Sequence, residues 1–250
     1  MSFLTEALAY IFTAANWGGP AGLTARILEH LQYTVVAVIF SAIIAVPLGM
    51  LIGHTGRGTF LVVTGVNALR ALPTLGVLLL GVLLWGLGLI PPTVALMLLG
   101  IPPLLAGTYS GIANVDPQVV DAARSMGMTE KRILLRVETP IAMPLILSGL
   151  RTATLQIVAT ATVAAYASLG GLGRYLIDGI KVREFYLALV GALLVTALAL
   201  ILDAALAFSV WLSVPGSGRL RRMPQPLLSD EVALESRSPA KRNTPFVPNG

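Results

Sequence analysis

The sequence predicts an all-α integral membrane protein with a core of five membrane-spanning helices. Hydrophobic residues make up 56% of the 250-residue chain and charged residues only 12%, and the mean hydropathy is +0.83. A soluble domain of this length would carry about twice that charged fraction. Long uncharged runs, bounded by polar or glycine- and proline-rich turns, mark the helices.

The N-terminal segment, residues 1–33, is predicted to lie at the membrane surface. Apolar residues recur at helical spacing from Phe3 to Ala15, which indicates an amphipathic helix. Residues 1–16 hold no lysine or arginine, which is not typical of a cleaved signal peptide. After the break at residues 17–20, a second short interfacial helix bearing Arg26, Glu29 and His30 should lead into the first span.

The transmembrane domain is predicted to cover residues 34–213 and to begin with a span at residues 34–53, with a kink at Pro47. This uncharged run is long enough to cross a bilayer core of about 30 Å. The following stretch contains Asn67 and Arg70. We therefore expect residues 59–69 to form an interfacial helix or the wet end of span two.

The other four spans follow from the positions of charged residues and breaks. No residue from 71 to 115 is charged, and as one helix this stretch would measure about 68 Å, so it holds two spans. The Gly-Leu-Gly-Leu-Ile-Pro-Pro turn at 86–92 separates them. The predicted spans are residues 71–87, 93–113, 144–166 and 185–212.

A polar loop, residues 114–140, interrupts the apolar chain between spans three and four. Ala122 and Ala123 favour a helix, and Gly127 permits the left-handed turn that ends it. Thr129 is a candidate N-cap for a second helix. Pro140, together with Pro144, should prevent that helix from continuing into the membrane.

The loop has a recognisable spacing: Asp121-Ala122-Ala123, three residues, Gly127, nine residues, then Val137-Glu138-Thr139-Pro140. It resembles the E-A-A, x3, G, x9, I-x-L-P loop of the membrane subunits of binding-protein-dependent ABC importers. Asp121 replaces the family's Glu, Val137 its Ile and Thr139 its Leu. An ordinary basic loop between two spans is the alternative.

This resemblance implies the methionine-importer-like permease fold and three kinds of protein partner. The loop would be a cytoplasmic helix-turn-helix that docks into a separate ATPase. A second permease subunit, identical or homologous, would complete the pore, and an extracytoplasmic binding protein would deliver the solute. The chain has no G-x-x-x-x-G-K-[ST] loop, so we expect no ATPase activity of its own and no cofactor.

Residues 31–212 resemble the permeases of osmoprotectant importers for glycine betaine, choline, carnitine or proline betaine. The resemblance is carried by three strings: Arg70-Ala71-Leu72-Pro73-Thr74-Leu75-Gly76, Asn114-Val115-Asp116-Pro117 and Ser168-Leu169-Gly170-Gly171-Leu172-Gly173. Importers of methionine and other amino acids share related strings. An amino-acid solute therefore remains the alternative.

The basic residues predict orientation in a bacterial cytoplasmic membrane. If the loop lies inside, so do Arg57, Arg70, four basic residues from 124 to 136 and six from 219 to 242. Outside are only four: Arg26, Arg174, Lys181 and Arg183. The positive-inside rule then places the N-terminus outside and the C-terminus in the cytoplasm. It also explains the net charge of +5 without nucleic acid.

Three charged residues, Arg70, Arg151 and Asp203, fall within the predicted spans. Arg151 and Asp203 should lie at a similar depth on neighbouring helices, and opposite charges cost less together than apart in a membrane. We expect an ion pair, the alternative being that each side chain reaches water separately. A membrane enzyme, the rival class of function, would have to use these same groups. No metal site is indicated, because the chain has no cysteine and two unpaired histidines.

Two glycine motifs and the C-terminal tail complete the predictions. Gly107 and Gly111 form a G-x-x-x-G pair that allows close helix contact, within the chain or between subunits. Residues 170–173 should lie outside, as a docking site, an outer gate or a plain flexible loop. Residues 214–250 are rich in proline, serine and charge, which predicts a disordered cytoplasmic tail that touches anionic lipid.

Overall fold

The structure, a computed structural model, describes residues 3–167 and 169–214, and every regular element in these ranges is helical. The predicted all-α membrane class is therefore confirmed. Four helices within these ranges are long and apolar enough to cross a membrane, or five if one bent pair counts as a single span. The predicted tail from 215 onward lies outside the described residues.

The N-terminal helix α1, Phe3–Phe12, packs against the last helix, α10, Phe185–Ser213. Ala7, Leu23 and Val190 are fully buried between them, and the rings of Phe3 and Phe185 meet edge-on at 6.0 Å. Phe12 is 81% exposed on the other face. This two-sided pattern is the amphipathic helix that the spacing predicted, followed by a 3₁₀ turn at Ala14–Trp17.

Helix α2 runs without a break from Leu23 to Thr55, so the separate short helix expected before residue 34 does not exist. Its 33 residues measure about 50 Å, well beyond a bilayer core of about 30 Å. The polar residues near its start therefore lie on turns that extend past the apolar layer. No helix-breaking residue separates them from the span, and Pro47 is accommodated within the helix.

The second predicted span is a broken one. Helix α3, Thr59–Ala71, and helix α4, Thr74–Trp85, are bent by 80° at Leu72 and Pro73. The proline lacks an N–H, and Leu72 before it is extended, which ends α3. At 12 residues, α4 is about 18 Å long and too short to cross the bilayer alone.

Helix α5, Ile90–Ala113, lies at the centre and packs against α2, α4 and the helix after the loop, α8, Thr139–Thr160. Glycines make these contacts close. A Cβ on Gly49 of α2 would lie 2.8 Å from Thr108 Cβ, and one on Gly107 of α5 would lie 2.8 Å from Gly149 Cα of α8. The predicted close contact of the G-x-x-x-G pair is thus made within the chain, between α5 and α8.

The fourth predicted span, residues 144–166, is not one regular α-helix to its end. Helix α8 ends at Thr160 and is followed by a 3₁₀ segment, Ala161–Ala167. After a glycine-rich turn, the short helix α9, Gly173–Lys181, leads into α10. Val158, Leu172 and Val195 are buried together where these pieces meet α10.

Candidate functional site, the loop between α5 and α8

The loop between α5 and α8 contains helix α6, Pro117–Ser125, which begins at a well-formed cap. The side chain of Asp116 accepts a hydrogen bond of 2.9 Å from the Gln118 N–H, and Pro117 occupies the first turn. Local sequence therefore fixes where the helix starts.

Helix α6 is closed by Gly127, which lies two residues beyond Ser125 and whose φ of +80° is left-handed as predicted. The Gly127 N–H donates to Arg124 O at 2.9 Å and the Met128 N–H to Ala123 O at 3.2 Å. These two bonds are those of a Schellman motif, which requires a residue that tolerates this conformation. A Cβ at Gly127 would meet nothing within 4 Å, so only the backbone conformation calls for glycine.

One face of α6 is buried within the loop and the other is exposed. Ala123 and Val120 are buried with Ile133 and Val115 in a small cluster of their own. Ala122 and Asp121 are exposed, and the apolar residues Val119 (41% exposed) and Met126 (75% exposed) lie beside them. Of the two motif alanines, one thus holds the loop together and the other lies on a surface available to a partner.

A second short helix, α7, Glu130–Ile133, follows Thr129 at its N-cap position, although the Thr129 side chain makes no cap bond. Arg124 joins the two helices. Its guanidinium donates to Glu130 at 2.8 and 3.1 Å and to Asp121 at 3.0 Å. Hydrogen bonding to Glu130 raises the pKa of Arg124 above its already high value, so this link stays charged.

The expectation that Pro140 separates the loop from the next span is wrong. From α7 the chain continues through a π-helical turn, Leu134–Glu138, into α8, so the helical backbone is unbroken from Glu130 to Thr160. Pro140 lies in the first turn of α8. In a regular α-helix the ring of a proline clashes with the carbonyl four residues earlier, and the missing N–H leaves that carbonyl without a donor. The wider π turn before Pro140 relieves both problems. The loop is thus rigidly continuous with α8.

Sequence reasoning missed the pair that joins the loop to α2. Glu138 is 4% exposed, and its Oε2 lies 2.7 Å from Nδ1 of His54 in the last turn of α2. Nε2 of the same ring lies 3.2 Å from Oε2 of Glu130. One signal for this contact was present in the sequence. The residues three and four positions from Glu138, at 134, 135, 141 and 142, are apolar, so no cation on the same helix face can pair with its carboxylate.

Arg151 and Asp203, predicted as an intramembrane ion pair, are brought together by α8 and α10. Arg151 Nε and Nη2 donate to the two carboxylate oxygens at 2.6 and 2.7 Å. This two-bond arrangement is the strongest geometry open to these side chains. The two bonds tie α8 to α10.

The glycine-rich turn after the 3₁₀ segment is held in place. The Gly171 N–H donates to Glu29 Oε2 at 2.7 Å, and Arg26 pairs with the same oxygen at 2.9 Å. A Cβ on Gly170 would overlap the Glu29 carboxylate. The turn is therefore fastened to the start of α2, which argues against a plain flexible loop.

Comparison with known proteins assigns the family. The family model for the binding-protein-dependent transport system inner membrane component matches residues 45–210, which includes α5, the loop, α8 and most of α10. The chain belongs to this family. It is the permease of an ABC importer, as the loop spacing predicted.

Several curated permeases are similar in sequence. The glycine betaine/carnitine/choline transport system permease of Bacillus subtilis is 36% identical over 179 residues, covering 72% of this chain and 82% of the relative. The choline transport system permease of the same organism is 34% identical over 196 residues, covering 78% and 90%. A carnitine transport permease of Listeria monocytogenes is 33% identical, covering 71% and 82%.

Solved structures confirm the fold of the permease. An inward-facing form of the MetNI methionine ABC transporter has a TM-score of 0.68 at 21% identity, covering 77% of this chain and 96% of that one. An amino acid ABC transporter has a TM-score of 0.58 at 19% identity, covering 85% and 97%. The predicted methionine-importer-like architecture is therefore the one this permease adopts.

Proposed function

We propose that this permease imports a small quaternary-amine osmoprotectant: glycine betaine, choline, carnitine or proline betaine. The observation that carries the proposal is the sequence identity of 33–36% to permeases named for these solutes, over more than two thirds of both chains. The likeness to methionine and amino acid transporters is a likeness of fold at 19–21% identity and does not favour their solutes.

The translocation path is proposed to run along α8 and α5, against a second permease subunit. Ser148, Thr152 and Gln156 are exposed at intervals of four residues, so they form one polar stripe on α8. Ser148 and Thr152, together with Arg70 and Ser110, border a groove of about 330 Å³ over Gly107 and Gly149. Polar side chains of membrane helices face a partner or a water-filled path rather than lipid.

The outer surface of α10 supports the same assignment by contrast. Its large exposed side chains are apolar: Leu200 is 64% exposed, Ile201 66% and Phe208 59%. This surface suits contact with lipid chains, whereas the polar stripe of α8 does not. The partner subunit is therefore expected on the side of α8 and α5.

Energy would come from two ATPase subunits that bind the exposed face of α6, and an external binding protein would deliver the solute on the opposite side. Val119, Ala122 and Met126 give α6 an apolar contact surface next to the acid of Asp121. The proposed orientation keeps the loop of residues 114–140 in the cytoplasm, with the turn between α9 and α10 outside, in agreement with the distribution of basic residues.

Uptake by proteoliposomes that contain the permease, the ATPase and the binding protein encoded beside it tests the solute class. We expect ATP-dependent accumulation of labelled glycine betaine or choline, which an excess of unlabelled carnitine or betaine reduces and an excess of methionine does not. Accumulation of methionine without any quaternary amine would assign the permease to the amino-acid alternative.

A further inference from the structure

The loop is connected to the membrane spans at three places. Two connections are covalent, because α6 follows α5 after only residues 114–116 and α7 continues through the π turn into α8. The third connection passes through His54 and reaches α2. Among the ion pairs of the described residues, only those of His54 join α2 to the loop.

The connection through His54 is a series of short polar contacts. Asp121 on α6 pairs with Arg124 at 3.0 Å, and Arg124 pairs with Glu130 at 2.8 Å. Glu130 contacts one nitrogen of His54 at 3.2 Å, and Glu138 contacts the other at 2.7 Å. The series thus leads from the exposed helix α6 to the end of α2.

The contact between His54 and Glu138 is largely shielded from solvent. The His54 side chain is only 11% exposed, and its partner Glu138 is buried. Each ring nitrogen lies within hydrogen-bonding distance of a carboxylate oxygen, so contacts on both sides hold the ring in place.

The end of α2 that carries His54 packs tightly against α5. Gly53 and Gly49 of α2 lie so close to α5 that a Cβ at Gly53 would lie 2.7 Å from Ile112 Cβ. Close-packed helices move as one body because such contacts leave no room for independent sliding. A displacement of the end of α2 would therefore be shared with α5.

We infer that His54 is a positioning residue for energy coupling, which transmits movement of α6 to α2. The inference rests on the proposed docking of an ATPase at α6. In this arrangement α8 receives the movement through the polypeptide backbone, and α2 receives it through His54. Helices α2, α5 and α8 would then move as a unit against the second permease subunit, on the other side of the proposed path.

His54→Ala tests the inference in the reconstituted complex, with uptake and ATP hydrolysis measured on the same vesicles. We expect hydrolysis to stay within about twofold of the unchanged complex, while the solute moved per ATP falls at least about fivefold, the lower range of a typical coupling effect. Arg57→Ala is the matched control. Arg57 is exposed in the turn just after α2, and the solute moved per ATP should be unchanged.

A double variant separates coupling from folding. His54→Ala alone leaves the buried carboxylate of Glu138 without its hydrogen-bond partner, which lowers stability. His54→Ala with Glu138→Gln removes that carboxylate, so thermal stability and yield should recover while the solute moved per ATP stays low.

Two results would overturn the inference: coupling in His54→Ala as good as in Arg57→Ala, or recovery of both stability and coupling in the double variant. Failure of the proposed function would look different, because the unchanged complex itself would then show no ATP-driven uptake.

Discussion

Gly127→Val should leave the permease in the membrane but reduce ATP-driven uptake at least about tenfold. A β-branched residue is a severe outlier at a φ of +80°, and holding one there costs about 1–3 kcal/mol. A cost of that size shifts a local equilibrium about 5- to 150-fold, so the Schellman turn would rarely form. The turn that closes α6 would then be lost, and the exposed face of α6 would no longer have a fixed orientation. Uptake in membrane vesicles, normalised to permease content, measures the effect.

Gly127→Asn is the matched control for this change. Asparagine tolerates the left-handed conformation far better, and no neighbouring atom obstructs a side chain at this position. The asparagine variant should therefore keep most of the uptake. Normal uptake in the valine variant, or equal losses in both variants, would show that the turn geometry is not what the ATPase requires.

Asp203→Asn and Arg151→Gln should each lower the yield of folded permease by at least about threefold, because either change leaves the remaining charge without its partner in the membrane. The two residues are 52 positions apart, and their bonds of 2.6 and 2.7 Å tie α8 to α10. Size-exclusion chromatography of detergent-solubilised protein measures the folded fraction.

The exchange of the two charges is the informative companion experiment. Arg151→Asp with Asp203→Arg should recover part of the yield lost in each single variant, since the pair is restored in reverse. Ser209→Ala serves as a control on α10, because within the part of the chain that the structure describes the Ser209 hydroxyl donates to Ala205 O of its own helix. If the exchanged pair yields no more than the single variants, charge pairing does not explain the effect.

The parts of this permease that sequence reasoning placed well are those that depend on local chemistry or on depth in the membrane. The turn at Gly127 follows from one residue that tolerates positive φ, and the start of α6 from Asp116 and Pro117. Arg151 and Asp203 could be related because helix rise fixes how far each lies from the membrane surface, and depth in a bilayer is a strong constraint.

What the sequence did not reveal depends on packing between distant segments. The bond between His54 and Glu138 joins residues 84 positions apart, and nothing in either local sequence specifies the other. Pro140 was expected to end a helix because the rule for prolines assumes regular α-helical geometry, and the π turn before it removes that assumption. The fusion of the predicted short helix with span one shows that polar residues alone do not end a helix.

The most direct test of the central proposal, that the loop of residues 114–140 is a cytoplasmic docking site for the ATPase, uses one cysteine in this cysteine-free chain. Ser125 is exposed on α6, so Ser125→Cys should react with a membrane-impermeant maleimide in inside-out vesicles but not in right-side-out vesicles. Val182→Cys, in the exposed turn between α9 and α10, should show the opposite sidedness. Adding the ATPase to inside-out vesicles should then protect the cysteine at position 125. Labelling at position 125 from the outside, or labelling that the bound ATPase leaves unchanged, would contradict the proposal.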